Sequence, residues 1–69
     1  MSRKLADTVT RRRIAAIAGH RGDAATARAY LDDPDPAVRA TAIGALVRSG
    51  AATGEDLQAA LADESPVVR

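Results

Sequence analysis

The chain has 69 residues, ten Lys or Arg against nine Asp or Glu, no cysteine, and a single Tyr as its aromatic residue. These values exclude a disulfide framework, a thiolate metal site and more than one small domain, because so short a chain rarely gains more than about 3–5 kcal/mol from its core. Ala and Leu are frequent and β-branched runs are few, which predicts an all-α fold.

Charge is unevenly distributed along the chain. Residues 1–22 contain six basic and one acidic side chain, whereas residues 23–69 contain four basic and eight acidic ones. Such asymmetry can mark an anion-binding face, or it can drive head-to-tail association of identical chains. The apolar runs are too short to cross a membrane, and Arg11-Arg12-Arg13 lies where a signal peptide has its apolar centre. We therefore expect a soluble, cytoplasmic protein.

The first predicted helix begins near Ser2 or Asp7, either of which can be its N-cap, and runs to about Ala18, after which Gly19, His20, Arg21 and Gly22 end it. At about 100° per residue its larger apolar side chains share one broad face. We expect this to be the packed face: Leu5, Val9, Ile14 and Ile17. Arg13 falls within the same arc, so either the helix is an outer cap with this side wet, or the Arg13 side chain reaches the edge of the core.

A short second helix is predicted from Ala24 to about Asp32, with Asp23 as its N-cap. Pro34 and Pro36 prevent its continuation, because each lacks an amide proton and disfavours a helical predecessor. Its expected inner face is Ala27, Tyr30 and Leu31.

The third predicted helix starts with Asp35 as cap and Pro36 at its first position, and it ends at Ser49-Gly50. Its apolar residues recur at spacings of three and four, which indicates one buried face: Val38, Ala42, Ile43, Leu46 and Val47. A fourth helix is predicted from Glu55 to about Ala62, capped by Thr53 or Gly54. Leu57 and Leu61 should face inward, and Pro66 should begin a fifth helix.

Two stretches thirty residues apart, 31–39 and 61–69, repeat one another. They share Leu, Asp, Pro, Val and Arg at 31/61, 33/63, 36/66, 38/68 and 39/69. A fixed period of this length predicts stacked helical pairs. The chain offers two pairs and the start of a third, fewer than the roughly three repeats that such stacks usually need. It thus resembles part of a longer stack, or one that self-associates through its C-terminal apolar end: Leu57, Leu61, Val67 and Val68.

The repeated residues resemble a HEAT repeat, especially the short bacterial form of about thirty residues called HEAT-like or PBS-lyase-type. The residues that carry this resemblance are Leu31, Asp33, Val38, Arg39, Ala42, Leu46, Leu57 and Leu61. It implies a right-handed α-solenoid of antiparallel helix pairs, forming one domain over residues 1–69. Residues 1–33 would be an N-terminal capping repeat, 34–63 the second repeat and 64–69 the start of a third. The first repeat fits at an offset of 29, which places Thr10 where the second repeat has Arg39.

The resemblance also implies a structural ladder of hydrogen bonds made by Asp33, Arg39, Asp63 and Arg69. The residue types fit such a ladder, because an Asp just after a helix can accept from turn amides, and an Arg can reach the carboxylate or carbonyls of a neighbouring repeat. The alternative is that these are ordinary solvated surface charges.

Catalytic signatures are missing from the sequence, which has no Walker loop, no dinucleotide fingerprint and no nucleophile beside a base. The acidic turn Asp32, Asp33, Asp35 lacks the glycine and distal Glu of an EF-hand loop. We therefore predict a non-enzymatic protein-interaction or assembly module without cofactor or metal. Its partner surface would be the groove lined by the second helices: Arg28, Tyr30, Asp56 and Gln58.

The alternative is binding to a nucleic-acid backbone through the basic first helix, with Lys4, Arg11 and Arg12 as phosphate contacts. Lys4 and Arg11 share a helix face, but consecutive residues point about 100° apart and no aromatic residue is interleaved among them. A solvated cap or an acidic protein partner explains the same cluster. Family analogy also suggests a bilin-lyase-like subunit, which a chain without cysteine does not favour.

Overall fold

The computed structural model describes residues 7–69, so the predictions for Ser2, Lys4 and Leu5 lie outside the described part. Four helices make up the fold: α1 (Thr8–Arg21), α2 (Ala24–Ala29), α3 (Pro36–Arg48) and α4 (Gly54–Leu61). They follow one another as two helical pairs, with α1 packed on α2 and α3, and α3 packed on α4. The fold is all-α, as predicted, since residues 7–69 contain no strand.

Each helix begins at a residue whose side chain caps it. The side chains of Asp7, Asp23, Asp35 and Thr53 accept from amides in the first turns of α1, α2, α3 and α4. In α4 the bond is reciprocal, because the Asp56 carboxylate also accepts from the Thr53 amide at 2.9 Å. First-turn amides have no partner within their own helix, and these side chains supply one. The predicted starts of these four helices are confirmed, whereas the fifth helix predicted from Pro66 is a turn over residues 66–68.

Helix α1 ends three residues later than predicted. Gly19 lies inside the helix, where it faces α3 so closely that a Cβ atom at this position would be 2.7 Å from the Cβ of Ala45. Gly22 ends the helix instead, with a φ of 70° in the left-handed region that glycine adopts readily. Gly22 is one of the four residues predicted to end α1, but the helix continues through Gly19, because this glycine serves close packing.

The buried face of α1 also differs from the prediction. Ala15 and Ala18 are buried, whereas the larger apolar side chains are exposed: Val9, Ile14 and Ile17. Small residues let α1 approach α3 closely, and this close approach is available only on the Ala and Gly side of the helix. Arg13 is exposed as well, which fits the wet outer cap that was one of two alternatives.

The core is centred on α3, where Val38, Ala42, Ala45 and Leu46 are fully buried. Leu46 belongs to a cluster with Ala18, Ala27 and Ala45, and the half-buried Leu31 and Ile43 pack against it. Val47 was predicted to face inward but is 52% exposed. Its place on the inner side is taken by Ala45, because α1 packs against this smaller residue.

Helix α2 is shorter than predicted and helix α4 less buried. Tyr30 is already the C-cap of α2, and turns cover residues 30–32. Leu57 and Leu61 of α4 were expected to face inward, yet both are exposed, and none of the residues of α4 is fully buried. After α4, residues 66–68 form a turn in which the Arg69 amide donates to the Ser65 carbonyl at 3.2 Å, as in the first turn of an α-helix.

The two repeats do not superpose with one fixed offset. The caps of the first helices, Asp7 and Asp35, are 28 residues apart, whereas the caps of the second helices, Asp23 and Thr53, are 30 apart. The linker between α3 and α4, residues 49–53, is three residues longer than the linker between α1 and α2, residues 22–23, while α3 is one residue shorter than α1. The predicted single offset of 29 was therefore wrong for both helices. No helix in the described part of the chain is long and apolar enough to cross a bilayer.

Candidate partner-binding surfaces

An ion pair between Arg11 and Asp33 joins α1 to the turn that precedes α3. Arg11 donates from Nε and Nη2 to the two carboxylate oxygens of Asp33, at 2.8 and 3.2 Å. Asp33 is only 8% exposed, and it also accepts from the Asp35 amide at 2.9 Å. The bond to Asp33 raises the pKa of Arg11, although partial burial opposes this. Two-oxygen contacts of this kind fix the direction of both side chains.

A second pair, Arg39 with Asp63, repeats this geometry one repeat later. Arg39 donates from Nε and Nη2 to Asp63 at 2.9 and 3.1 Å, and from Nη1 to the carbonyls of Asp33 and Pro34 at 2.8 and 3.2 Å. Asp63 also accepts from the Ser65 amide at 2.9 Å. The Arg39 hydrogen bond, together with that amide, lowers the pKa of Asp63. Arg39 thus touches the turns on both sides of its own repeat.

Arg11, which the predicted ladder did not include, occupies in the first repeat the position of Arg39. Both residues lie four positions after the N-cap of a first helix, and the shared offset of 28 identifies them as counterparts. Counting from the cap residues rather than from the apolar pattern would have found Arg11 instead of Thr10. Arg69 lies four positions after Ser65; it is exposed, and its charge contributes to the lowered pKa of Asp63.

A third ion pair connects the two second helices. Arg28 of α2 donates from Nη1 to the Asp56 carboxylate at 2.7 Å and from Nη2 to the Ala51 carbonyl at 3.2 Å. The Arg28 bond, followed by the bond from the Thr53 amide, lowers the pKa of Asp56 to about 2. Two of the four predicted partner-surface residues therefore bind each other rather than project independently.

A groove of about 470 Å³ lies beside this ion pair, and we call it the α2–α4 groove. Its apolar lining is Leu31, Ile43, Ala59, Ala60 and Val68. The ion pairs Arg28–Asp56 and Arg39–Asp63 also line it. Asp32 and Glu55 contribute two more carboxylates, and both are exposed. Tyr30 and Gln58, which were predicted for the same surface, are outside the lining.

A second open surface lies beside α4, at the C-terminal end of the fold. We call it the C-terminal apolar surface, and its exposed members are Val47, Leu57, Leu61 and Val67. Leu61 is the most open of them, at 69% exposure. Arg48 and Arg69 line the same depression.

The predicted phosphate contacts do not gather on one open face. Arg11 is held by Asp33, with its side chain 13% exposed, and Lys4 lies outside the described residues. Arg12 is exposed, as is Arg13, and together they flank a shallow depression with Val9, Ala16 and Thr41. The open basic side of α1 therefore consists of Arg12 and Arg13, extended by Arg21 at the end of the helix.

No group of three or more metal-ligating side chains is found within residues 7–69. Comparison with known protein families finds that the family model of HEAT repeats matches residues 2–69, almost the whole chain. No curated protein and no solved structure matches the chain.

Proposed function

The chain belongs to the HEAT repeat family, whose members generally serve as protein-interaction or scaffold modules, and on that basis we propose that it is a non-enzymatic module that binds a protein in the α2–α4 groove. The observation that supports this proposal most directly is the composition of the groove, which combines an apolar lining with charged side chains already held in place. Arg28 and Arg39 each contact a carboxylate before any partner arrives. Binding there would spend little free energy on ordering side chains.

Two neighbouring positions on α4 provide a matched test of this groove. Ala59 lines the groove and is exposed, whereas Gln58 is exposed but outside the lining. Ala59→Arg should fill the groove with a long charged side chain, while Gln58→Arg adds the same side chain beside it. We expect immobilised Ala59→Arg to lose the proteins that the wild-type chain captures from a lysate of its source cells, and Gln58→Arg to retain them. Equal capture by both variants would place the binding surface elsewhere.

Self-association through the C-terminal apolar surface is a second part of the proposal. Its support is the exposure of Leu57, Leu61 and Val67 on one small surface. Leu61→Gln should reduce the weight-average mass of the chain in sedimentation equilibrium. Ala25→Gln, at an exposed position on α2, is the control and should leave the mass unchanged. A wild-type chain that stays monomeric throughout the concentration range would contradict this part.

Nucleic-acid backbone binding is the alternative function, supported by the exposed Arg12 and Arg13. The variant for this test is Arg12→Glu with Arg13→Glu, and Arg11 stays unchanged because its replacement would break the pair with Asp33. Backbone binding predicts a mobility shift of a nucleic-acid duplex at low salt that the variant abolishes. The absence of any shift with the wild-type chain would end this alternative.

A further inference from the structure

The α2–α4 groove has an excess of negative charge. Its two arginines are both paired, Arg28 with Asp56 and Arg39 with Asp63. Asp32 and Glu55 remain, and neither has an ion-pair partner within residues 7–69. The groove therefore offers an apolar lining together with two exposed carboxylates. The surface that complements it must be apolar and basic.

The exposed side of α1 has this complementary character. Val9, Arg13, Ile17 and Arg21 are spaced four residues apart, so they form one stripe along the helix in which apolar and basic side chains alternate. All four are exposed, and Val9 is 62% exposed. We call them the α1 stripe. Arg12, which is also exposed, flanks it.

We propose that the α2–α4 groove of one copy of the chain binds the α1 stripe of a second copy. This inference rests on the proposed function, since it uses the same groove and names its partner. No lining residue of the groove comes from α1. The groove and the stripe are thus different surfaces, and the contact is of the head-to-tail kind, which produces a ring if the rotation between copies closes and an open chain if it does not.

The charge distribution along the whole chain favours the same orientation. The first 22 residues are strongly basic and the rest is acidic, so two copies attract one another when the basic end of one approaches the acidic groove of the other. The reverse approach, groove to groove or stripe to stripe, brings like charges together. Repulsion between like charges therefore selects the head-to-tail arrangement.

Complementary charge reversal tests the contact. One variant carries Arg12→Glu and Arg13→Glu, and the other carries Asp32→Lys and Glu55→Lys. In the first variant alone, an acidic stripe would face an acidic groove. In the second variant alone, a basic stripe would face a basic groove, so each variant should repel its own copies. Mixed in equal amounts, the acidic stripe of the first meets the basic groove of the second, and the unchanged stripe of the second meets the unchanged groove of the first.

We expect sedimentation velocity to show that the wild-type chain self-associates at low salt. This association should weaken as the ionic strength rises from about 0.01 M to about 1 M, because the screening length falls from about 30 Å to about 3 Å. Each variant alone should associate at least about tenfold more weakly, and the mixture should recover association. Far-UV circular dichroism checks that each variant is folded. If Glu55→Lys unfolds α4, the variant with Asp32→Asn and Glu55→Gln takes its place, and it should self-associate more weakly than the wild-type chain.

Three results would overturn this inference. One is a wild-type chain that stays monomeric up to about 1 mM. Another is association that neither salt nor the charge variants change. The third is a mixture that associates no better than its components. In each case the proposed function would still hold if the wild-type chain captures another protein and Ala59→Arg abolishes that capture. Self-association that is lost only in Leu61→Gln would be assigned to the C-terminal apolar surface.

Discussion

Gly19 controls how closely α1 and α3 approach each other. A Cβ atom at this position would be 2.7 Å from the Cβ of Ala45, whereas a Cβ atom at Gly44 would meet no atom closer than 3.4 Å, the Nη1 of Arg48. We expect Gly19→Ala to lower the free energy of unfolding by roughly 1–3 kcal/mol through overpacking. Gly44→Ala, in the interior of α3, should raise it by up to about 1 kcal/mol through helix propensity. Urea unfolding measures both, and equal effects would refute the close approach.

Asp33 and Asp63 accept equivalent hydrogen bonds, but the side chain of Asp33 is more deeply buried. The side chain of Asp33 is 5% exposed and that of Asp63 is 15% exposed. Replacement by Asn keeps one acceptor oxygen but removes the charge that holds the arginine. We expect Asp33→Asn to lower the thermal midpoint more than Asp63→Asn, because the bonds it weakens are less accessible to water. The reverse order would show that depth does not decide the strength of these pairs.

At the residue scale, contacts between a side chain and the backbone of nearby residues could be predicted from the sequence. The capping roles of Asp23 and Asp35 were predictable because such bonds span two or three residues. The partner of Arg11 was not predictable in this way, since it is 22 residues away and the first repeat gave no matching Arg at the expected offset.

Helix α3 presents two neighbouring residues to opposite environments. Leu46 is fully buried, and Val47 is 52% exposed. Leu46→Ala should cost roughly 2–5 kcal/mol, enough to unfold a chain of this size, because it leaves a cavity in the buried cluster that Leu46 forms with Ala18, Ala27 and Ala45. Val47→Ala should leave the far-UV circular dichroism and the thermal midpoint nearly unchanged. Similar losses for both would mean that α3 is oriented differently.

Helix α4 depends on a carboxylate for its start. Asp56 has a pKa of about 2 in the folded chain, below its ordinary value of 3.8, so it binds protons more weakly when folded than when unfolded. Its stabilising contribution is complete above about pH 4 and is lost as the pH falls through about 2. We expect the urea midpoint of the wild-type chain to fall over this range, and that of Asp56→Asn to fall less.

The other acidic caps set the baseline for that comparison. Hydrogen bonds to their own helices lower the pKa of Asp7 and Asp23. The same is true of Asp35. These groups lose their contributions in the same direction, so some acid sensitivity should persist in Asp56→Asn. A variant whose midpoint falls as steeply as that of the wild-type chain would show that Asp56 contributes nothing to the acid response.

Helix starts were predictable, whereas the buried face of α1 was not. Proline and capping residues act locally, so the beginning of α3 followed directly from Asp35 and Pro36. Which side of α1 is buried depends on how near its neighbour comes, and the hydrophobic pattern selected Ile14 and Ile17 over Ala15 and Ala18. Size complementarity between two helices is not visible in the sequence of one of them.

Across the whole molecule, stability should be unevenly distributed. Helices α1, α2 and α3 contact one another in all three combinations, whereas α4 packs on α3 and contains no fully buried residue. We expect amide hydrogens of α4 to exchange faster than those of α3 under native conditions, because local opening of α4 exposes little apolar surface. Hydrogen exchange followed by mass spectrometry resolves the two helices. Equal protection of both would indicate a single cooperative unit.

The repeat architecture was the most predictable feature. The residue offset between equivalent helices of the two repeats was the least predictable one. Residues 31–39 and 61–69 carry enough identical positions to predict stacked helical pairs from one sequence. The first repeat differs in the length of one linker, so any single offset misaligns one of its helices. The three extra linker residues lie outside the helices and change no hydrophobic spacing within them, so only the positions of the caps reveal the shift.

The equivalence of Asp33 and Asp63 makes residues 34–63 a unit that can be joined to itself. A tandem polymer of this unit would restore at every junction the Asp-Pro step of residues 33 and 34, and each copy would supply its own helix cap, its own Arg39 and its own Asp63. Arg39 would meet one carboxylate and two junction carbonyls in every copy. The chain thus contains a unit that can be repeated in tandem with the same contacts at every junction.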